Sequence, residues 1–269
     1  MSLAGAVRSI YVDVGLVERI LSKLNVGKKI VGTDIAPGAI AGAIKKAQEE
    51  NLDNIEYYVA DLQKEMLPEN TYNLIWANGA LHHIQDLDSV IPMLYASLKH
   101  GGYLISNEYV GPNYMQITPR HEELVNAVKH LLPLELRENS LQCYQNAKTM
   151  KTKGYYLVKH LLSQKERLLG SGTIWKKPSV SFFLKNDPSE CINSEMIIPT
   201  LKNVFDDVDV RYFNGSILFF ALGSAFYNNF DLNNPRHQHL LNLLFETEDT
   251  LVKNGEIPNI HAHIICKKR

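Results

Sequence analysis

The chain has 269 residues, 45% hydrophobic and 21% charged, enough to bury a large core or a core carrying an inserted cap. Its 28 basic and 29 acidic side chains leave a formal charge of −1 with no long basic run, which argues against a nucleic-acid partner. Cys143, Cys191 and Cys266 lie far apart, which excludes a disulfide framework or a zinc motif and fits reduced thiols in a cytoplasmic protein. The longest apolar run, Ile217 to Phe226, is too short to span a bilayer, and the N-terminus carries no signal-peptide pattern. Met1-Ser2-Leu3 is compatible with an appended start. The expectation is a soluble protein with no membrane span.

In chain order, Leu16, Val17, Ile20, Leu21 and Leu24 fall on one helical face, with Gly27 as a stop. Lys29–Thr33 reads as a strand ending on Asp34, and Pro37 opens a helix to about Gln48 with Ile40, Ile44 and Ala47 inward. Ile55 to Asp61 repeats the arrangement, a strand with an acid at its end. Pro68-Glu69-Asn70 is a turn before the strand Tyr72–Ala77, which ends in Asn78-Gly79. Asp86 and Asp88 are candidate caps for a helix with Val90, Ile91, Leu94 and Leu98 inward, and Pro92 is expected near its first turn. Gly101-Gly102 precedes the strand Tyr103–Glu108. Strands and helices alternating at this spacing predict parallel pairing with right-handed crossovers.

Beyond Gly111 the alternation stops. Residues 112–190, with helical pieces at His121–Leu132 and Tyr155–Leu169, read as a cap or lid inserted between a cofactor-binding core (1–111) and its C-terminal completion (191–269). The tail offers a helix around Met196 to Phe205 and strands at Val208–Phe213 and His261–Cys266. Asn214-Gly215 closes a hairpin or leads into a buried helix from Ser216; a run this apolar fits either.

An acid at a strand end is placed to accept hydrogen bonds from a ribose diol, and two successive ones suggest a nucleoside site. Val31-Gly32-Thr33-Asp34-Ile35, Ala60-Asp61-Leu62, Tyr72 to Trp76, Ala80-Leu81-His82-His83 and Leu98 to Tyr103 together resemble the consecutive motifs of class I S-adenosylmethionine-dependent methyltransferases. The resemblance covers about residues 16–111 and, more loosely, the tail from Asp187. It implies an α/β, Rossmann-like, seven-stranded, mostly parallel sheet with helices on both faces and a helical cap, the last strand antiparallel. It also implies S-adenosyl-L-methionine as cofactor. Asp34 would then hold the ribose hydroxyls and Ile35 would pack on the adenine. Asp61 and the Leu62 backbone would read the adenine amino edge, while Asn78 and Gly79 would lie beside the methionine moiety.

The chain departs from that family in the loop after the first strand. Ile10-Tyr11-Val12-Asp13-Val14-Gly15 has Tyr11 and Asp13 where two of three glycines belong, and only Gly15 in place. Asp13 is a candidate for the cofactor's ammonium group. Glu108 and His83 are the candidate proton-transfer residues, against readings as a solvated strand-end acid and a packing histidine; no metal ligand set is evident. Tyr109, Tyr114, His121 and Trp175 are candidates for an acceptor pocket. Asp187-Pro188-Ser189-Glu190, followed by Ser194-Glu195, resembles a segment of methyltransferases of bacterial surface saccharides. It leans the acceptor toward a small-molecule or saccharide hydroxyl. Two other readings stand beside this one: a non-catalytic methyltransferase-like binding module, and a nicotinamide-dependent oxidoreductase, for which the glycine fingerprint is absent.

Overall fold

A computed structural model describes residues 6–11, 15–133, 136, 150–151, 153–154, 157–158, 161, 175–227 and 229–269, the side chains of 6–11 and 224–227 excepted. In chain order the elements begin β1 (Ala6–Tyr11), α1 (Leu16–Lys23), β2 (Lys29–Asp34), α2 (Pro37–Glu49), β3 (Ile55–Val59) and β4 (Tyr72–Asn78). They continue with α3 (Leu87–Ser97), β5 (Leu98–Tyr109), α4 (Pro119–Leu131), α5 (Val180–Asn186), α6 (Ile197–Val204) and β6 (Asp207–Tyr212). The last are α7 (Leu218–Tyr227), α8 (Pro235–Lys253) and β7 (His261–Lys267).

The strands form one sheet in the order β3-β2-β1-β4-β5-β7-β6. β1 pairs in parallel with β2 on one side and β4 on the other, and β7 runs antiparallel to both β5 and β6. The arrangement is α/β and Rossmann-like. The chain moves outward from β1 through β2 and β3, then returns to set β4 on the opposite side. That reversal opens a crevice beyond the carboxyl ends of β1, β2 and β4, where sheets of this kind bind ligands.

Side-chain alternation fixes which residues bury where. Ile75, Ala77, Leu104, Ala262, Ile264 and Cys266 face one core with α3 and α6, while Ile30 and Leu74 face the other side. β7 alternates half-buried and buried positions along its whole length, as a strand with one fully covered face should. β3, at the sheet edge, is half open, with Tyr58 and Val59 exposed.

Several local expectations are corrected. Of the α1 stripe, Val17 and Leu21 are half-buried against the apolar clusters while Leu16, Ile20 and Leu24 are exposed; the helix also buries Glu18, whose carboxylate accepts the Gly15 N–H at 2.8 Å, and Ser22. Helix α2 buries Ala43 rather than Ile44, alongside Ile40 and Ala47. Asp86 caps α3 by accepting the Ser89 N–H, but the helix starts at Leu87, which leaves Pro92 in its interior. Gly101-Gly102 lies within β5 rather than ahead of it. After Asn214-Gly215, both in the left-handed region, the chain forms α7 and no hairpin. The helix expected at Tyr155–Leu169 falls largely outside the described residues, as does Cys143.

The chain divides into two compact units: 1–116 with 179–213 and 259–269, and 117–178 with 214–258. The boundaries expected at 112–190 and 191–269 are therefore redrawn. Residues 179–213 belong with the sheet because their loop is bonded to it: Ser194 Oγ donates to Gly111 O and Cys191 O accepts the Tyr114 N–H. The second unit buries Val125 and Val128 of α4, Ile217, Phe220 and Ala221 around α7, and Leu241 and Leu244 of α8. Among the described residues no helix is long and apolar enough to cross a membrane.

Candidate functional site

Asp34 ends β2 almost buried, with Oδ1 accepting the Ala36 N–H at 2.7 Å. Its backbone oxygen accepts the Ala60 N–H, which ties the end of β2 to the segment after β3. In that segment Asp61 Oδ1 accepts the Gln63 N–H at 3.1 Å and Oδ2 pairs with Lys64 Nζ at 2.8 Å. The Lys64 hydrogen bond holds the Asp61 carboxyl below the usual carboxylate range against the opposing effect of burial. Two carboxyl groups thus stand at adjacent strand ends. Beside them Ile35 is 67% exposed and Leu62 is buried in the core.

These four residues line a cavity of about 420 Å³, which His83, Ile84, Asp187 and Ser189 also line. That volume suits a small organic ligand, with apolar surface for a flat ring and acids to orient it. Thr33, Ala36, Ala60, Gln63 and Ala80 complete the lining. Gln63 is placed there by accepting the Gln85 and Asp86 N–H groups.

Glu108 has another occupation. Its side chain is fully buried; Oε1 accepts from the Ala80 and Leu81 amides and the Ser106 hydroxyl, at 3.0, 2.9 and 3.1 Å. Oε2 accepts from His82 Nδ1 at 2.8 Å and from the His82 amide at 3.4 Å. The carboxylate therefore caps the single helical turn Leu81–His83, meeting the amides that a helix start leaves unpaired. It does not line the cavity, and it is a positioning residue for the loop that carries His83. Burial alone would lower the His82 pKa, but the hydrogen bond and charge of Glu108, with Glu190 and Asp187 behind it, raise it.

His83 does face the cavity. Its Nδ1 lies 3.0 Å from Ser189 Oγ, and that hydroxyl donates to Asp187 Oδ1 at 2.9 Å. Its Nε2 lies 3.6 Å from Glu190 Oε2. Burial, and then the neighbouring His82, push the His83 pKa down despite the carboxylates of Glu190, Asp187 and Glu108. A neutral imidazole held in one orientation can accept a proton. The sequence leaves the two histidines without a carboxylate at metal-ligand spacing, whereas the fold supplies Glu190, with one ligand atom of each residue within 4.8 Å of the others.

The remaining candidates are placed elsewhere. Asn78 Oδ1 accepts from Asn107 Nδ2 at 3.0 Å, and Gly79 takes a left-handed turn with its N–H on Asn107 O. Gly15 has φ 111°, and a Cβ there would sit 2.9 Å from Ala43 Cβ, so glycine is required. None of these three lines the cavity. Asp13 and the Tyr11 side chain lie outside the described residues. Tyr109 is buried with its hydroxyl on Pro112 O, and Tyr114 packs beside Phe183. In the second unit His121 Nε2 contacts Ser216, and Trp175 packs on Phe220. These four do not line the cavity either. Of the residues that do, Asp187 and Ser189 were flagged in the sequence by their Asp-Pro-Ser-Glu segment and Ala80 by the Ala-Leu-His-His motif, but Gln63 and Ile84 carried no signal.

A family model described as "Methyltransferase domain" matches residues 15–170. Phosphoethanolamine N-methyltransferase 3 of Arabidopsis thaliana is 31% identical over 80 residues, 30% of this chain and 16% of that protein. Sterol 24-C-methyltransferase of Pneumocystis carinii is 29% identical over 105 residues, 38% of this chain and 28% of that protein. The chain thus spans less than a third of the length of either relative. Haemonchus contortus phosphoethanolamine N-methyltransferase 2, solved with S-adenosyl-L-methionine, aligns over 100% of this chain and 50% of that one, with TM-score 0.52 and 16% identity, a likeness of fold. With the family model covering more than half of its residues, this chain belongs to the methyltransferase domain family.

Proposed function

We propose that the chain is an S-adenosylmethionine-dependent methyltransferase acting on a hydroxyl of a small molecule or saccharide. The observation that carries this reading is that Asp34, Ile35, Asp61 and Leu62 line one cavity together with His83. The residues present fit the cofactor. Asp34 would accept from the ribose hydroxyls, Ile35 would pack on the adenine, and Asp61 with the Leu62 backbone would read its amino edge. Gly15, Asn78 and Gly79, which stand outside the cavity lining, and Asp13 would serve the methionine end only as the family resemblance implies. When bound, the cofactor supplies an electrophilic methyl group and a thioether leaving group. The acidic lining favours a cationic sulfonium over its neutral product.

The chain's own contribution is alignment, exclusion of water and removal of one proton. His83, oriented by Ser189, accepts the proton from the acceptor hydroxyl. Glu108 acts through the loop it caps. The cavity lining contains Asp34, Asp61 and Asp187 and neither Lys nor Arg, which supports a neutral acceptor over a phosphorylated one.

Calorimetric titration with S-adenosylmethionine and S-adenosylhomocysteine tests this reading. Saturable binding is expected, weakened about 10- to 100-fold in Asp34→Ala, as loss of a charge-assisted hydrogen bond implies. Unchanged affinity in that variant sinks the assignment. Absence of binding by the folded chain favours the second reading, a non-catalytic module, which Tyr11 and Asp13 at glycine positions support.

A further inference from the structure

His82, His83 and Glu190 do more than approach one another, because the other polar atom of each is already committed. His82 Nδ1 is held at 2.8 Å by Glu108 Oε2, so in the neutral ring Nδ1 carries the proton and Nε2 carries the lone pair. His83 Nδ1 meets Ser189 Oγ at 3.0 Å, and that hydroxyl's own proton goes to Asp187. The His83 nitrogen therefore donates, and Nε2 is again left with its lone pair, facing Glu190 Oε2 at 3.6 Å. Glu190 Oε1 accepts from Cys191 Sγ at 3.2 Å. One ligand atom from each of the three residues lies within 4.8 Å of the others, and in the neutral rings each Nε2 is left with a lone pair for a cation.

We propose that His82 Nε2, His83 Nε2 and Glu190 Oε2 form a binding site for a divalent transition cation, best suited to zinc. Two imidazoles and a carboxylate make a three-ligand set that leaves a coordination position open. Metal-binding histidines commonly donate their second N–H to a carboxylate. His82 does so directly to Glu108, and His83 does so through Ser189 to Asp187. Tetrahedral bonds of about 2.0–2.1 Å place ligand atoms roughly 3.3 Å apart, so the trio must close in by about 1.5 Å from its 4.8 Å limit. His83 and Glu190, with side chains 22% and 24% exposed, have room to do so.

Of the three ligands His83 lines the cavity, as does Ser189, the neighbour of Glu190, so a cation held there would adjoin it. A cation there would bind an acceptor hydroxyl and lower its pKa so that its proton passes to solvent water rather than to His83, and only this last step rests on the methyltransferase reading.

The test uses the full-length, tag-free chain after treatment with a chelator. Zinc is titrated by calorimetry, cobalt(II) by visible absorption, and S-adenosylmethionine on the same unmodified sample. One equivalent of metal is expected, with a low-coordinate cobalt spectrum. His83→Gln and Glu190→Gln, shown to be folded by near-UV circular dichroism, should lose the spectrum, and Ser189→Ala should weaken affinity about 10- to 100-fold. No stoichiometric binding overturns the cation site, while retained S-adenosylmethionine binding leaves the methyltransferase reading standing. Binding that persists in both Gln variants places the metal elsewhere and also overturns it.

Discussion

At the residue scale, one type of side chain does opposite work according to its partners. Asp34 and Asp61 keep carboxylate surface at a cavity, whereas Glu108, near the end of β5, is enclosed by the amides and hydroxyl from which it accepts. Glu108→Ala strands the Ala80 and Leu81 amides in the core. It should cost about 3 kcal/mol of stability, measured by urea unfolding, whereas Asp61→Ala, which removes a partly exposed pair, should cost under about 1 kcal/mol. Faster hydrogen exchange at Leu81 in Glu108→Ala should accompany the loss. The sequence shows these acids at strand ends; it does not show which ends face a cavity. Glu108 is directed inward because the turn after β4 folds over it and presents three backbone N–H groups.

At the element scale, α1 shows where pattern reading goes astray. Leu16, Ile20 and Leu24 repeat at helical spacing and would be taken for the buried face, yet all three are exposed. The contact that orients the helix is polar: Glu18 reaches back to Gly15, and it sits beside Tyr57 across Gly32. A Cβ on Gly32 would lie 2.5 Å from Tyr57 Cδ1 and 3.0 Å from Glu18 Oε1. Gly32→Ala should therefore destabilise by roughly 1–3 kcal/mol through overpacking, and Tyr57→Ala in the same chain should recover part of that loss. A double-mutant cycle by thermal unfolding reads the coupling. Additive losses would remove the steric explanation. By contrast β2, α2 and β4 were legible, since continuous apolar runs, Pro37 and turn residues state their structure locally.

At the scale of the whole molecule, buried carboxylates at helix starts recur in both compact units. Glu248 of α8 accepts from the Gly215 and Leu218 amides at 2.8 and 2.7 Å, and from the Ile217 amide. The candidate site lies wholly in the other unit. Glu248→Ala should lower stability by about 3 kcal/mol, a fall in Tm of roughly 6–12 °C, as a loss of buried charge-assisted bonds implies. Cofactor affinity at 25 °C should be unchanged in that variant, and a parallel loss of affinity would refute the separation. Two buried acids far apart in the chain thus serve the same physical end, and nothing in either local sequence announces it.

By itself the sequence determined the alternation of strand and helix from Lys29 to Tyr109 and the two strand-end acids that meet at the cavity, because side-chain periodicity and strand-end chemistry act over neighbouring residues. It also marked Asp187-Pro188-Ser189-Glu190 without saying what that segment meets. Only the tertiary structure decided that Glu108 is enclosed, that α1 turns a carboxylate inward, and that Ser189 and Glu190 complete the surroundings of His83. Those outcomes depend on hydrogen bonds between residues distant in the chain. Such bonds form only once strand pairing has fixed which segments become neighbours.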